Sequence, residues 1–211
     1  MIENAETLCH IQADYGLTGT MRDTSISEWL EKMNPSALEY RRAITNFTLS
    51  CAAYCVLTYV LGICDRHNDN IMLNKKGHLF HIDFGKFLGD AQMFGTFKRD
   101  RTPFVLTREM IYVIKDFSGE NGTQGFHHFV ELCCQAFNII RQHGNVLIHL
   151  FVLMITANIP GVVPESLTYI QRALLPECSN VEAAANFARF IEDSSQYVFY
   201  TFLKQSTFLW I

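Results

Sequence analysis

The feature that most constrains this fold is a stretch without any charge from Ala43 to Cys64. It exceeds the length of about 20 residues with which a helix crosses a bilayer, so it belongs either in a protein core or in a membrane. Thr45, Asn46 and Thr48 are among its polar residues, and Asp65 follows it directly. So many polar groups argue against a membrane span. The sequence therefore predicts a long core helix.

The overall composition fits a chain organised around such a core. Hydrophobic residues make up 49% and charged residues 18% of the 211 positions, which excludes the polar, highly charged class of disordered proteins. The net charge of −4 disfavours a protein that coats nucleic acid, because such binding needs a positive excess. No nucleic-acid partner is expected. Seven cysteines without a paired CxxC pattern predict reduced, buried thiols in a cytoplasmic protein.

Periodicity and turn signals predict a mainly α-helical chain with a small β-hairpin. The strand candidates are Ile71 to Leu73 and His78 to Ile82, joined by the turn sequence Asn74 to Gly77. Residues 86–103 have little periodicity and are predicted to form a long loop. Helical patterns account for most of the remainder. We expect helices over residues 36–61, 107–117, 126–143, 146–156, 164–174 and 181–194.

Two polar segments interrupt the apolar pattern and carry the candidate chemistry. The first is Asp65 to Asn70, with the sequence DRHNDN, and the second is Asp83 to Gly85, with the sequence DFG. Because the predicted hairpin lies between them, the returning strand brings Asp83 back toward Asn70. A carboxylate and an amide oxygen are suitable ligands for the Mg²⁺ that neutralises the phosphates of ATP. Asn70 and Asp83 are therefore the predicted metal ligands.

The first segment also offers an acid–base group. Asp65 and Asn70 have the spacing of the protein-kinase catalytic loop, but His67 follows the aspartate here instead of preceding it. A histidine titrates near neutral pH and is suited to accept a hydroxyl proton. We therefore predict that His67 is the general base and that Asp65 orients or supports it. Arg66 is predicted to hold the loop or the transferring phosphate.

Together with the segment Lys98 to Thr107, KRDRTPFVLT, these motifs resemble the phosphoinositide 3-kinases. The sequence DFGKFLGDAQMFG, which begins at Asp83, and the absence of a lysine run before Lys98 are similar to the class II enzymes, with the gamma member as the candidate within that class. The resemblance covers about residues 1–194 and implies the C-terminal lobe of the catalytic domain. It assigns two functional segments, the catalytic loop 65–70 and the activation loop 83–104.

The resemblance also implies substrates and a cofactor. ATP is expected as the phosphate donor with Mg²⁺, and inositol phospholipids, namely phosphatidylinositol and its 4-phosphate, are the expected acceptors. Met72 and Ile82 look like apolar walls beneath the adenine, and Ile2 looks like the end of the interlobe hinge. In the segment with which the family binds the lipid headgroup, basic side chains contact the inositol phosphates. The matching residues are Lys98, Arg99 and Arg101.

The distribution of charge along the chain is compatible with such a headgroup-binding segment. Residues 75–108 contain seven basic and three acidic residues, whereas the rest of the chain has an acidic excess. A local basic loop acts only within a Debye length of about 10 Å. We therefore expect a cytoplasmic protein that is recruited peripherally to membranes, rather than one that coats them.

Two departures from the family pattern bear on activity. No glycine-rich strand pair precedes Asp65, so the N-terminal lobe that covers ATP in kinases is missing. We expect the chain to need that lobe and the accessory domains of a parent enzyme as partners, and to be inactive alone. After residue 194 the closing amphipathic helix of the family is expected to be lost, which makes residues 195–211 a divergent tail.

Two other functions remain open from the sequence. A related protein Ser/Thr kinase would also use a DRHxxN motif and a DFG motif, although the cations between positions 98 and 101 favour a lipid substrate. A truncated, non-enzymatic isoform would instead act by competing for the partners of the parent enzyme.

Overall fold

Helix α3, Ala37–Val60, is the core helix that the charge-free stretch predicts. Ser36 begins it, because its hydroxyl accepts a hydrogen bond from the Glu39 amide at 3.2 Å. Polar residues enter the core already hydrogen-bonded within the helix. The buried Thr48 hydroxyl, for example, donates to the Ile44 carbonyl at 3.0 Å. Such pairing explains how a helix with several polar residues is buried.

The computed structural model describes residues 2–16, 22–88, 93–94, 97–98, 102–116 and 123–207, with side chains described up to residue 195 outside 93–94 and 97–98. Seven further helices accompany α3 within these residues. They are α1 (Leu8–Ala13), α2 (Ser25–Met33), α4 (Arg108–Lys115), α5 (Thr123–Gln142), α6 (Gly144–Thr156), α7 (Pro164–Ala173) and α8 (Asn180–Thr207). The predicted fold class, mainly helical with a small β element, is confirmed.

Aromatic rings fill the space between α3, α5 and α8. Tyr59 of α3 packs edge-on against Phe137 of α5 and Phe187 of α8, with ring centroids 5.6 and 5.5 Å apart. Both phenylalanines are fully buried. Burying a side chain of this size stabilises a fold by roughly 1.5–3 kcal/mol. The cluster therefore holds the C-terminal helix against the core helix.

Two parts of the described chain are apolar enough for a bilayer by length and composition. One is α3, and the other is α5 together with α6 across a bend of 62°. In the structure, 61% of the apolar window of α3 is buried inside the protein. Its residues Phe47, Cys51 and Cys55 belong to the main hydrophobic cluster. This burial confirms the prediction of a core helix.

A three-stranded antiparallel sheet packs beside α3. It consists, in spatial order, of β1 (Ala5–Thr7), β2 (Ile71–Asn74) and β3 (Leu79–His81). The hairpin of β2 and β3 is the predicted one, with Ile71 opposite His81. Its turn requires a glycine, because Gly77 has a φ of +89° and a Cβ there would lie 2.1 Å from the Ala43 carbonyl oxygen. The hairpin is thus placed directly against the core helix.

The sequence prediction missed the N-terminal elements β1 and α1. β1 pairs with β2, and Thr7 lies opposite Met72. Three residues are too few for an alternating pattern to be recognised, and the pairing partner is far away along the chain. α1 follows at once, with the Thr7 hydroxyl accepting a hydrogen bond from the His10 amide at 3.2 Å. These two elements add an edge to the predicted hairpin.

Two further predictions need correction. The predicted long loop 86–103 contains a short antiparallel pair, β4 (Met93–Phe94) and β5 (Phe97–Lys98). The last helix does not end near residue 194 but continues to Thr207. The tail 195–211 therefore begins as a continuation of α8 and does not lose helical structure there. No glycine or proline occurs in α8, so the local sequence contains none of the usual helix breakers.

The seven cysteines are free thiols. Cys51, Cys55 and Cys133 are buried, three others are half-buried, and Cys9 is exposed. The prediction of buried thiols therefore holds for only part of the set. Burial raises the pKa of the Cys133 thiol, which keeps it protonated and unreactive.

Candidate active site

The site begins where α3 ends. Gly62 has a left-handed φ of +56°, and its amide donates to the Tyr59 carbonyl at 3.2 Å. The next amide, that of Ile63, donates to the Thr58 carbonyl at 2.9 Å. These two hydrogen bonds form the Schellman motif, which ends many helices at a glycine. The predicted catalytic loop, residues 65–70, therefore follows a rigid helix end.

The side chain of Asn70 closes the catalytic loop. Its Nδ2 donates to the Asp65 carbonyl at 2.7 Å, and its Oδ1 accepts from the His67 amide at 3.0 Å. Asn70 is 4% exposed. One buried amide thus spans the loop and defines its shape. A carbonyl oxygen has two lone pairs, so Oδ1 can accept one further bond.

The DFG segment, Asp83 to Gly85, returns to this loop. The Ile82 amide donates to the Asn70 carbonyl at 2.9 Å, and Asp83 follows directly with a left-handed φ of +59°. The exposed Asp83 carboxylate accepts a hydrogen bond from the Gly85 amide at 3.2 Å. The hairpin therefore brings the start of the DFG segment to Asn70, as the sequence predicts.

Arg66 connects the two segments through backbone carbonyls. Its Nε donates to the Cys64 carbonyl at 3.0 Å, and its Nη1 donates to the Ile82 carbonyl at 2.7 Å. Its Nη2 donates to the Asp83 carbonyl. These contacts hold an aspartate whose left-handed conformation costs about 1 kcal/mol or more. They agree with one of the two roles predicted for Arg66, that of holding the loop. Contact between Arg66 and a phosphate stays a prediction.

The His67 ring, the predicted general base, lies beside the Asp69 carboxylate. His67 Nδ1 is 3.6 Å from Asp69 Oδ2 and 3.3 Å from the Asp69 amide nitrogen. The other ring nitrogen, Nε2, is 3.3 Å from Asn70 Nδ2. The side chain is 41% exposed. The Asp69 carboxylate lies on the Nδ1 side of the ring, where it can stabilise the positive charge of a ring that has taken up a second proton.

Asp69 was missed in the sequence, where kinase spacing directs attention to Asp65. The structure places the Asp65 carbonyl in the closure of the loop and gives the residue a left-handed φ of +59°. Support of His67 by Asp65 stays a prediction. The available signal for Asp69 was its position two residues after the histidine.

Asn70 and Asp83 form a donor set that fits Mg²⁺. An amide oxygen and a carboxylate are hard oxygen ligands, and in nucleotide sites phosphate oxygens and waters complete the coordination of this ion. Among the described residues, no group of three or more His, Cys, Asp or Glu side chains is placed to hold a metal. Two protein ligands leave positions for phosphate oxygens and waters in the coordination of Mg²⁺.

The sheet face directed away from α3 carries two of the residues predicted to contact adenine. Met72 pairs with Phe80, and Ile82 follows Phe80 by two positions, which places the three side chains on one face. Met72 is buried but lies outside the main hydrophobic cluster, to which its neighbour Ile71 belongs. Ile2, just before β1, is 48% exposed. Adenine contact by these residues stays a prediction.

The predicted headgroup residues lie largely outside the described part of the chain. Lys98 ends β5, whereas Arg99 and Arg101 fall outside the described residues. Just after them in the chain, the Thr102 hydroxyl donates to the Phe104 carbonyl at 2.9 Å. Recognition of a headgroup by these cations stays a prediction.

A buried histidine lies behind the DFG segment. The His81 ring stacks on Tyr54 of α3, with ring centroids 4.7 Å apart, and the residue is 6% exposed. Burial, assisted by the charge of Arg66, lowers the pKa of His81 to about 3. Its buried Nδ1 has no hydrogen-bond partner among the described residues. His81 therefore packs as a neutral aromatic ring two positions before Asp83.

The sequence prediction also missed a buried polar pair near the loop. Gln12 of α1 donates to Glu109 of α4 at 2.7 Å, and both residues are buried. Charged side chains are seldom buried without a partner. The available signal was a glutamate on the same side of an amphipathic helix as the apolar Met110 and Val113.

Comparison with known proteins gives this chain its relatives. Residues 3–163 match the family described as Phosphatidylinositol 3- and 4-kinase. The chain is 54% identical over 195 residues to the phosphatidylinositol 4-phosphate 3-kinase C2 domain-containing subunit alpha of Pongo abelii. It is 53% identical over 195 residues to the corresponding subunit beta of Homo sapiens. With the phosphatidylinositol 3-kinase C2 domain-containing subunit gamma of Homo sapiens it shares 46% over 197 residues.

Each of these matches covers 92% of this chain. The chain spans 12% of the length of the alpha and beta relatives and 13% of the gamma relative. The segment that matches the family contains both the catalytic loop and the DFG segment, so the match and the geometry concern the same residues. The chain therefore belongs to the phosphatidylinositol 3- and 4-kinase family.

Proposed function

We propose that this chain supplies the C-terminal lobe of an ATP-dependent lipid kinase of class II type. Its substrates would be the 3-hydroxyls of phosphatidylinositol and phosphatidylinositol 4-phosphate. The observation that carries the proposal is the junction of the catalytic loop with the DFG segment, where the Ile82 amide donates to the Asn70 carbonyl at 2.9 Å. Relatives named as C2 domain-containing 3-kinases, two of them of phosphatidylinositol 4-phosphate, support the class and the substrates.

In the proposed reaction, His67 removes the proton of the inositol 3-hydroxyl as this oxygen attacks the γ-phosphorus of ATP. A phosphorus–oxygen bond to inositol forms and the bond to ADP breaks, while the proton moves to the His67 ring and later to solvent. The Asp69 carboxylate, 3.6 Å from Nδ1, stabilises the imidazolium that results.

The two predicted metal ligands are held before the substrates arrive. Asn70 and Asp83 would bind Mg²⁺, which when bound neutralises the charge of the phosphate oxygens. Arg66 donates to carbonyls on both sides of the junction, so the separation of the ligands is fixed by the protein. Asp65 turns the chain between the end of α3 and His67. This preorganisation lowers the reorganisation needed during transfer.

Binding of the two substrates is assigned to the surfaces on either side of this centre. Met72 and Ile82 would contact adenine from the sheet, and Ile2, which precedes β1, would contact it from the hinge. The lipid headgroup would bind to the basic residues predicted from the sequence, Lys98, Arg99 and Arg101. We propose that the enzyme works peripherally at the cytoplasmic surface of a membrane, where it would meet its phospholipid substrate.

A kinase of this kind needs an N-terminal lobe to cover the phosphates of ATP. We infer that this lobe and the accessory domains come from a longer parent polypeptide, and that the 211-residue chain has no appreciable turnover alone. The greater length of the relatives supports this inference.

The test uses a chimera in which the part of the alpha relative that precedes the matched region is joined to this chain. Purified chimera and 211-residue chain would be incubated with labelled ATP and vesicles that contain phosphatidylinositol or its 4-phosphate. We expect 3-phosphorylated lipid from the chimera only. Asp83→Asn should abolish transfer, and His67→Gln should lower kcat by more than about a hundredfold. Glu165→Gln, at an exposed position of α7, serves as the control.

The opposite outcomes are equally informative. A folded chimera that phosphorylates a peptide but no lipid would favour the protein Ser/Thr kinase, and one that phosphorylates neither would refute a kinase function. Lipid phosphorylation by the 211-residue chain would contradict its need for a second lobe. Near-normal turnover of His67→Gln would show that another group is the base.

A further inference from the structure

A line of polar side chains, half-buried at Asn68 and buried at its other two members, connects the catalytic loop to two helices outside it. Asn68 Nδ2 donates to Gln12 Oε1 at 2.8 Å, and Gln12 Nε2 donates to Glu109 Oε1 at 2.7 Å. Gln12 is 4% exposed and Glu109 is 6% exposed. We call Asn68, Gln12 and Glu109 the relay. It runs from the catalytic loop through α1 to α4.

The direction of each hydrogen bond in the relay follows from the charge of Glu109. An ionised carboxylate only accepts hydrogen bonds, so the Gln12 amide must turn its NH₂ group toward α4. Its carbonyl oxygen then faces the loop, where it requires a donor, and the NH₂ group of Asn68 is that donor. A reversed amide would place two donors or two acceptors together, which is costly for buried groups. The relay therefore admits one arrangement.

Both ends of the relay are fixed in the fold. At the loop, the Cys9 amide of α1 donates to the Asn68 carbonyl at 3.0 Å, and a hydrogen bond between the Cys9 thiol and Asp69 raises the pKa of that thiol. At the other end, Met110 and Val113 bury the adjacent face of α4 in the core. A helix held by its apolar face gives Glu109 a defined position.

The relay meets the loop between its two most important residues. Asn68 directly follows His67, the proposed base, and lies two positions before Asn70, the proposed metal ligand. Arg66 already joins the loop to the DFG segment. The relay adds a support on the other side, from the helical core.

We propose that Glu109 is a positioning residue, which orients the catalytic loop through Gln12 and Asn68 without touching the reactants. The expected effect on turnover rests on the proposed kinase function, whereas the effect on the loop concerns this chain alone. The two consequences are therefore measured separately.

The first experiment adds a second carboxylate to the relay in the chimera, at the middle position. Gln12→Glu sets two carboxylates against each other and should lower kcat by about tenfold or more, with the KM for ATP changed by less than about twofold. Glu109→Gln keeps an acceptor oxygen for the Gln12 amide and should lower kcat by only about twofold.

The double substitution of Gln12→Glu with Glu109→Gln is the decisive variant. The carboxylate at position 12 then accepts hydrogen bonds from both Asn68 and the new amide on α4, so every group of the relay is paired again. Turnover should recover to within about threefold of the unsubstituted chimera. The positioning role is overturned if kcat does not recover in the double substitution. It is also overturned if the loss of kcat in Gln12→Glu is no larger than the loss of folded protein that thermal unfolding measures.

The second experiment needs no activity. Amide hydrogen exchange in the 211-residue chain should accelerate at residues 65–70 in Gln12→Glu and slow again in the double substitution. Glu165→Gln, a matched glutamate in the first turn of α7, should leave the exchange unchanged. If the unsubstituted chimera transfers no phosphate, the proposed function fails while hydrogen exchange still decides on the relay. Unchanged exchange in Gln12→Glu, or no recovery in the double substitution, overturns the relay.

Discussion

Arg66 and Arg141 use the same chemistry in two regions of the molecule. Each guanidinium donates to several backbone carbonyls, and these include carbonyls of a segment that is distant in sequence. The carbonyls that Arg66 contacts belong to Cys64, Ile82 and Asp83. Those that Arg141 contacts belong to Leu174, Leu175 and Cys178. One arginine joins the catalytic loop to the DFG segment, and the other joins α5 to the connection between α7 and α8.

The two regions differ in why the carbonyls need a donor. α7 ends at Ala173, and Leu175, two positions later, has a left-handed φ of +49° at a position where glycine is usual. Arg141 supplies donors to carbonyls that a helix end leaves unsatisfied. α3 already ends with Gly62, so Arg66 is not needed there and instead holds the segment around Asp83. The same side chain therefore stabilises the fold in one region and sets the geometry of the site in the other.

The largest expected effect is a loss of activity, which should occur on substitution of Arg66 and not of Arg141. Arg66→Ala removes the donors between the catalytic loop and the DFG segment, so kcat of the chimera should fall by about a hundredfold or more. Arg66→Lys should fall nearly as far, because an ammonium group does not reproduce the planar fork that serves several carbonyls. Lipid phosphorylation at saturating ATP measures the effect. A kcat within about threefold of the unsubstituted chimera would contradict the role of Arg66.

Arg141→Ala should act on stability instead. Loss of its charge-assisted hydrogen bonds is expected to lower the free energy of unfolding by about 2 kcal/mol, while kcat of the folded chimera stays unchanged. Urea unfolding of the 211-residue chain measures the loss. Arg172→Ala, at an exposed position of α7, should cost less than about 0.5 kcal/mol. A stable Arg141→Ala variant with reduced kcat would remove the contrast between the two regions.

The smallest expected effect concerns the loss of folding stability at low pH, which we assign to His81 in the region of Arg66. The folded state lowers the pKa of His81 to about 3, whereas an unfolded histidine titrates at about 6.5. Protons therefore bind the unfolded chain more strongly between these values. His81 should have little effect on stability at pH 7.5, and stability should fall with decreasing pH, by about 1.4 kcal/mol at pH 5.5. The loss should level off below pH 3.

His81→Phe tests this dependence, because it removes the titrating group and keeps an aromatic ring against Tyr54. In urea unfolding, the variant should gain stability relative to the unsubstituted chain as the pH is lowered from 7.5 to 5.5. His78→Phe, at an exposed position, should run parallel to the unsubstituted chain. A difference between His81→Phe and the unsubstituted chain that does not change with pH would rule out the assigned pKa.

The parts of the site that depend on local geometry are predictable from the sequence. The spacing from Asp65 to Asn70 and the turn at Gly77 involve neighbours within a few positions, and the structure contains both. The core helix follows from a charge-free stretch that includes Phe47 and Cys51. Periodicity also predicts the remaining long helices, although the continuation of α8 beyond residue 194 depends on the absence of a helix breaker.

What escapes prediction depends on partners far apart along the chain. No local pattern indicates that β1 joins the hairpin, that Gln12 meets Glu109, or that Arg141 serves the end of α7. Asp69 is missed for a different reason, since the kinase spacing offers Asp65 as a more familiar carboxylate. Long-range pairs have no periodicity of their own, and only the folded structure brings them together.

Loop length implies an order of events during folding. Thr7 lies opposite Met72 although sixty-five positions separate them, whereas β2 and β3 are joined by a short turn. Closing a longer loop costs more conformational entropy, and contacts distant in sequence form more slowly. We therefore expect α3 and the hairpin to form before β1 and α1 are added, which pulsed hydrogen exchange would detect as late protection of the Cys9 amide. The catalytic loop would then reach its final shape among the last steps of folding.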